Sequence, residues 1–172
     1  SFWLYRIIIK TLNNNKFVII GAVVLVVVLG LLFAWPKANN NDNPVTKKWQ
    51  EIGIDCLNGH ANAAQHIHPH LRILINNREQ IVPSNIGLLR GCMAETHTHD
   101  ASGKIHIEST EPGKQFTLQQ FFDIWEEQLI KEGYNLTVEV DGRPNEELGG
   151  LILRDNQQII LKYVSAGGTE NQ

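Results

Sequence analysis

The chain has no excess of basic charge. Its 172 residues include 15 lysines and arginines against 18 aspartates and glutamates, which gives a formal net charge of −3. Domains that bind nucleic acid are typically basic, because they must neutralise phosphate groups. The composition therefore gives no electrostatic support for a nucleic-acid partner.

Charge is missing altogether from one stretch near the N-terminus. Residues 17–35 contain no charged side chain and are almost entirely apolar. A helix of about 20 apolar residues is long enough to cross the hydrocarbon core of a membrane. A signal peptide is the main alternative, but its apolar region is usually only about 7–15 residues long. We therefore predict a single transmembrane helix over residues 17–35.

The charges before this stretch predict its orientation. Arg6, Lys10 and Lys16 precede it, with no acidic residue among them, and positive charges stay on the cytoplasmic side of a membrane. We expect an extracytoplasmic domain held at the lipid bilayer of the cell membrane. The predicted segments are a cytoplasmic N-terminus over 1–16, the span over 17–35, a flexible linker over 36–48, a folded domain over 49–164 and a disordered tail over 165–172.

Short strands and one helix are predicted for the folded domain. They are a hairpin over 71–82 that turns at Asn76 and Asn77, a strand over 104–109, a helix over 118–130 with Thr117 as its N-cap, and strands over 136–140 and 158–164. This order predicts an α+β domain of the β-grasp (ubiquitin-like) type, in which a mixed sheet wraps one helix. A small β-sandwich with one helix is the alternative.

Histidine is concentrated in one part of the chain. All seven histidines lie between His60 and His106, and most of them alternate with other residues. Side chains two apart on an extended strand share a face, and imidazole is the commonest ligand for zinc and copper. The predicted metal ligands are His66, His68, His70, His97, His99 and His106. His60 stands outside the alternation, and we assign it no role.

Further candidate donors lie beside the second histidine pair. Asp100, Cys92 and Met93 stand close to it in sequence, and the two sulfur donors favour copper over zinc. The segment over residues 88–103 is rich in Gly, Ser and Thr, so we expect it to be a loop outside the core that brings these residues to the histidines. No organic cofactor is indicated.

Cysteine is scarce, since Cys56 and Cys92 are the only two in the chain. In an extracytoplasmic domain a widely spaced pair favours a disulfide. Metal ligation by the Cys92 thiolate and two free thiols are the alternatives.

Familiar catalytic motifs are missing. The H-x-H-x-D-H pattern of binuclear zinc hydrolases fails because Asp100 follows His99 directly, and no serine lies on a nucleophile elbow. An enzyme that uses a histidine-bound metal with Asp100 or Glu108 as base remains a further alternative.

Four sequence patterns resemble those of a known group of proteins. They are HxHxxL over residues 66–71, IVPSNIG over 81–87, HTHDxxGxIHxES over 97–109 and FTLxQFFDIW over 116–125. In these segments the chain resembles an uncharacterised family of membrane-anchored, extracytoplasmic prokaryotic proteins. The resemblance covers about residues 60–164. It implies a cell-surface or periplasmic location and brings no established activity.

Two functions follow from these features as expectations. The first is a membrane-anchored domain that binds copper or zinc for buffering, delivery or insertion. The second is a structural accessory subunit, without metal, that docks on a partner protein in a membrane complex.

Overall fold

The computed structural model describes Leu25, residues 43–60 and residues 63–167. The chain divides into two units, residues 1–39 and 40–172, and the fold described below belongs to the second. The predicted cytoplasmic segment and, apart from Leu25, the predicted membrane span lie outside the described residues. Within the described residues, no helix has the length and apolar character needed to cross a membrane.

The second unit is a small α+β domain built mainly of short strands, as the sequence predicts at the level of fold class. The helices are α1 (Pro44–Glu51), α2 (Leu118–Trp125) and a 3-10 helix (Leu148–Gly150). The strands are β1 (Cys56–Leu57), β2 (Gln65–Ile67), β3 (His70–Ile75), β4 (Arg78–Gln80), β5 (Leu88–Leu89), β6 (Cys92–Ala94), β7 (Thr96–His97), β8 (His106–Ser109), β9 (Tyr134–Val140), β10 (Arg143–Asn145) and β11 (Gln158–Ser165).

These strands form three sheets. A five-stranded sheet has the order β10-β9-β11-β3-β4, with β11 parallel to β3 and the other pairs antiparallel. Two smaller antiparallel sheets have the orders β1-β6-β5 and β2-β8-β7. The predicted hairpin is confirmed as β3 and β4, and its turn places Asn76 and Asn77 at φ 48° and 63°, which asparagine tolerates better than most residues.

Helix α2 supplies the centre of the core. Thr117 and Gln120 form a capping box at its start, and Leu118, Phe121 and Phe122 are fully buried. The helix ends earlier than the predicted residue 130, because Glu126 adopts a left-handed conformation with φ 59° and closes the last turn.

The domain begins earlier than the sequence indicates. Asn43 caps helix α1 by accepting a hydrogen bond from the Val45 amide at 2.9 Å, and Thr46 and Trp49 of this helix are buried. Residues 44–48 are therefore helix rather than flexible linker, because Trp49 packs into the core. At the other end, Ser165 is the last residue of β11 and pairs with Tyr134 instead of starting a tail.

The segment over residues 88–103 differs from the predicted exposed loop. It contains β5, β6 and β7, and residues 92–98 are all buried. The prediction was wrong because these strands are only two or three residues long and the Gly-rich turns around them hide their pattern. Cys92 also bonds to Cys56 in the predicted disulfide, with an S–S distance of 2.06 Å, so neither cysteine is a thiolate ligand.

A break at His68 and Pro69 separates the two strands that the sequence suggests are continuous. Strand β2 joins the sheet β2-β8-β7, whereas β3 joins the five-stranded sheet. Proline cannot donate a ladder hydrogen bond; its carbonyl accepts instead from the Ile105 amide at 2.9 Å. His66 of β2 and His70 of β3 consequently lie on different sheets.

Candidate metal centre

One face of the sheet β2-β8-β7 collects most of the histidines. Strand β8 is central, and its His106 lies opposite His97 of β7, while its Glu108 lies opposite His66 of β2. His68 and His99 lie just beyond the ends of β2 and β7, and their rings contact that of His106 on the same surface. We call this surface the histidine face and define it by six residues: His66, His68, His97, His99, His106 and Glu108.

His106 lies in the middle of this face. Its ring centroid is 4.6 Å from those of both His68 and His99 and 5.5 Å from that of His97. Within the flanking pairs the centroid distances are 4.5 Å for His66 and His68 and 4.7 Å for His97 and His99. The imidazoles are thus packed against one another rather than spread over a solvated strand.

Two groups of three histidines have the spacing of a metal site. They are His66, His68 and His106, and His97, His99 and His106; in each group one nitrogen per ring lies within 4.8 Å of the others. Two nitrogens bound to one tetrahedral ion with bonds of about 2.0–2.1 Å are roughly 3.3 Å apart. The Nε2 atoms of His97 and His99 are already 3.1 Å apart. Small side-chain movements would bring either group to an ion.

The tautomer of His97 is fixed by the backbone. Its Nδ1 lies 2.9 Å from the Ala94 carbonyl oxygen, which can only accept, so Nδ1 carries the proton. The Nε2 atom of neutral His97 therefore holds the lone pair and faces His99. Metal-binding histidines usually donate their second ring N–H to a carbonyl or carboxylate in this way, which orients the ring and raises its basicity.

Thr98 holds the His97-Thr98-His99 segment in position from the opposite side. Its hydroxyl donates to the Pro83 carbonyl at 2.8 Å and accepts from the Ile86 amide at 3.1 Å. The Thr98 amide also donates to the Ile86 carbonyl at 3.1 Å. Because Thr98 is fully buried, both neighbouring histidines are directed to the histidine face.

Glu108 is a buried carboxylate within the cluster. Its side chain has no exposed surface, and its Oε1 lies 2.7 Å from His60 Nδ1 and 3.2 Å from His66 Nε2. Two side-chain atoms at this site, Glu108 Oε2 and His106 Nδ1, are buried without a hydrogen-bond partner. Such atoms are rare in native proteins and mark a site that a bound group would complete.

Glu95, a second buried carboxylate nearby, differs from Glu108 in its hydrogen-bond partners. Glu95 accepts from Ser109 Oγ at 2.6 Å and from the Asp55 amide at 2.9 Å, and it pairs with Lys114 Nζ at 2.5 Å. Glu95 is thus satisfied by the protein itself. The donors that reach the Glu108 side chain are imidazoles, which are the residues that a metal ion would bind.

Three imidazoles of the cluster have lowered pKa values. Burial lowers the pKa of His97 to about 4. Burial, followed by the charges of His99, His68 and His66, lowers the pKa of His106 to about 4 as well. Burial and His66 also lower the pKa of His68. At neutral pH these rings therefore keep the lone pairs that a metal needs.

These shifts predict that the metal-free protein loses stability in mild acid. The unfolded-state pKa of histidine is about 6.5, so the unfolded chain binds more protons between pH 6.5 and 4. The stabilisation from neutral His97 and His106 is complete above pH 6.5 and is lost as the pH falls towards 4. Each proton bound only on unfolding changes the free energy of unfolding by about 1.4 kcal/mol per pH unit.

Urea unfolding of the chain at pH 7.5, 6.5, 5.5 and 5.0, with a chelator present, measures this loss. The His97→Gln variant is the matched control, because it lacks one of the two groups and should show a shallower pH dependence. A free energy of unfolding that stays constant from pH 7.5 to 5.0 would contradict the prediction.

Four predicted ligands lie outside the two groups. His70 belongs to β3 of the five-stranded sheet, because the break at Pro69 turns it away. Asp100 is fully exposed and accepts from the Ser102 amide at 2.9 Å; the Ser102 side chain first, and then this amide, lower the pKa of Asp100. Cys92 is in the disulfide. Met93 is buried in β6 and lines a pocket together with His99.

Two residues of the site were not predicted as ligands. Glu108 follows His106 in strict alternation, so the pattern placed it on this face but did not show that it is buried. His60 lies against the face, with its ring centroid 5.4 Å from that of His99 and its Nδ1 bonded to Glu108. No sequence signal indicates this, because the position of His60 depends on the tertiary path after β1.

Comparison with known proteins found no similar protein. The chain matches no protein-family model, no curated protein and no solved structure.

Proposed function

We propose that this protein is a membrane-anchored, extracytoplasmic domain that binds a divalent transition-metal ion on its histidine face, for buffering, delivery or insertion. The observation that carries the proposal is the convergence of five imidazoles and a buried carboxylate on one sheet face. Each flanking strand contributes one histidine, with a second just beyond the end of the strand, and the central strand contributes His106 and Glu108.

The donor set decides which ions fit. The disulfide removes Cys92 as a thiolate, and the two groups of ligands consist of imidazoles with the Glu108 carboxylate beside them. Imidazole nitrogens and one carboxylate remain, and such donors suit Cu²⁺ and Zn²⁺ better than Cu⁺. Copper still ranks before zinc, but now because Cu²⁺ binds nitrogen ligands more tightly along the divalent series.

The disulfide supports the proposed location. Such bonds persist in oxidising compartments and are rare in the cytosol, so Cys56–Cys92 favours a domain outside the cell membrane. The apolar residues 17–35 would supply the anchor. A cell-surface or periplasmic setting also agrees with the membrane-anchored prokaryotic proteins that the motifs resemble.

The sheet order supports the finer fold assignment. In a β-grasp domain the first strand of the hairpin and the closing strand lie side by side and parallel in a mixed sheet that packs against one helix. Strands β3 and β11 have this relation, and α2 follows the hairpin in sequence. We therefore propose a β-grasp core with the sheet β2-β8-β7 as an addition to it.

Metal uptake by the full chain tests the proposed function. We expect the chain, purified in mild detergent and stripped with a chelator, to retain Cu²⁺ or Zn²⁺ after desalting at pH 7.5, measured by elemental analysis. His70→Gln should bind equally well, because His70 belongs to neither group of ligands. If neither metal is retained, the proposal fails; a stoichiometric partner protein in native membranes without metal would support the structural alternative.

A further inference from the structure

The two groups of three histidines differ in how firmly the fold holds their rings in a geometry that suits a metal ion. In the group His97, His99 and His106, the His97 side chain is fully buried and its tautomer is set by the Ala94 carbonyl. Its Nε2 also lies at ligand spacing from the Nε2 of His99. We call this group the holding triad, because preorganised ligands lose little freedom on binding.

The group His66, His68 and His106 is more open. The His66 side chain is 47% exposed, and its Nε2 lies 3.2 Å from Glu108, where it competes with ligation. His68 and His106 are only partly buried. We call this group the transfer triad, because none of its members is fully buried, whereas the holding triad contains the fully buried His97.

His106 belongs to both triads. Ring contacts connect it with His66 and His68 on one side and with His97 and His99 on the other. Among the histidines that the structure describes, no ring contact joins a member of one pair to a member of the other. A neutral imidazole has one lone pair, so His106 ligates one ion at a time.

We infer that the histidine face is a two-position relay, in which one divalent ion moves between the transfer triad and the holding triad while it stays bound to His106. The inference rests on the proposed function and deepens it. In the step, the bonds from the ion to His66 and His68 break as bonds to His97 and His99 form. No electron is exchanged in the step. In the metal-free chain His99 Nε2 donates its proton to His97 Nε2, so His99 binds the ion through Nε2 only after that proton has moved to its Nδ1 or to solvent.

In the relay, the affinity for the ion and its rate of exchange with solvent depend on different residues, whereas in a single composite site both would depend on the same ligands. Affinity is set by the holding triad, and the rate of exchange with solvent is set by the transfer triad. Removing the transfer pair should therefore slow uptake and release without much change in affinity. Removing a holding ligand should weaken affinity.

Cu²⁺ binding to the full chain in detergent tests this separation. The affinity is measured by competition with a chelator, and the exchange rate by stopped-flow removal of Cu²⁺ with excess chelator. The variants are His66→Ala/His68→Ala for the transfer pair and His99→Ala for the holding triad. His99 is chosen because it is exposed, so its loss leaves the core intact; His70→Gln is the control.

We expect one Cu²⁺ per wild-type chain. The transfer-pair variant should keep that ion with less than about threefold loss of affinity and exchange it at least about tenfold more slowly. His99→Ala removes a ligand and should lose at least about tenfold in affinity, since loss of a residue that only orients a ligand already costs that much. Equal losses of affinity in both variants, unchanged exchange rates, or two ions per wild-type chain would each overturn the relay and leave metal binding intact. A wild-type chain that binds no ion would overturn the proposed function itself.

Discussion

Replacing His106 with alanine is expected to weaken Cu²⁺ and Zn²⁺ binding by at least about 100-fold. His106 is the one histidine that belongs to both candidate groups of ligands. Loss of a residue that only orients a ligand already costs about 10–100-fold in metal affinity, and loss of a shared ligand should cost more. Isothermal titration of the full chain with each metal at pH 7.5 measures the change.

The fold should tolerate this substitution. His106 is only partly buried, and its Nδ1 has no hydrogen-bond partner to lose. Circular dichroism and the midpoint of urea unfolding should therefore stay close to those of the wild-type chain without metal. His70→Gln serves as the matched control, since it replaces a histidine of β3 outside both groups. A loss of affinity below about fivefold for His106→Ala would show that His106 is not a ligand.

Removing the disulfide is expected to give the largest loss of stability. Cys56 and Cys92 are 36 residues apart in sequence, and their bond joins β1 to β6, its neighbour in the same sheet. Closing a loop of this length stabilises a protein by about 3–4 kcal/mol, chiefly by restricting the unfolded chain. The Cys56→Ala/Cys92→Ala variant should lose about that much free energy of unfolding.

Chemical reduction of the wild-type chain separates the cross-link from the sulfur atoms. If the bond itself stabilises the fold, urea curves of the reduced wild-type chain and of the double variant should nearly coincide, and both should lie well below the oxidised curve. Strand β1 is only two residues long and pairs with β6 at Ala94 and Met93. If the free energies of unfolding of the oxidised and reduced wild-type chains differ by less than about 1 kcal/mol, the pairing of β1 with β6 is sufficient to hold β1 in place without the disulfide.

Local patterns predicted the parts of the site that depend on local geometry. Alternation in the sequence correctly grouped His66 with His68 and His97 with His99, although the second histidine of each pair lies just beyond the end of its strand. The pattern also put Glu108 on the same face as His106. The pairing of Cys56 with Cys92 followed from their number and the expected compartment.

Longer-range features could not be predicted in the same way. The break at Pro69 puts His70 on another sheet, although its position in the sequence continues the alternation. His60 reaches Glu108 from a segment 48 residues away in the chain. The burial of residues 92–98 depends on partners such as Pro83 and Ile86, whose backbone groups satisfy the Thr98 hydroxyl. These contacts are tertiary, and composition alone suggested a loop.

The outer strands of the five-stranded sheet have a consequence for assembly. Strands β4 and β10 are each three residues long, and they carry Arg78, Glu79, Arg143 and Pro144. Short, charged edges and proline discourage the addition of a further strand from another chain. These edges therefore disfavour edge-to-edge aggregation. Under the proposed function, a protein that receives the ion would have to recognise side chains, because the sheet offers it no backbone edge to extend.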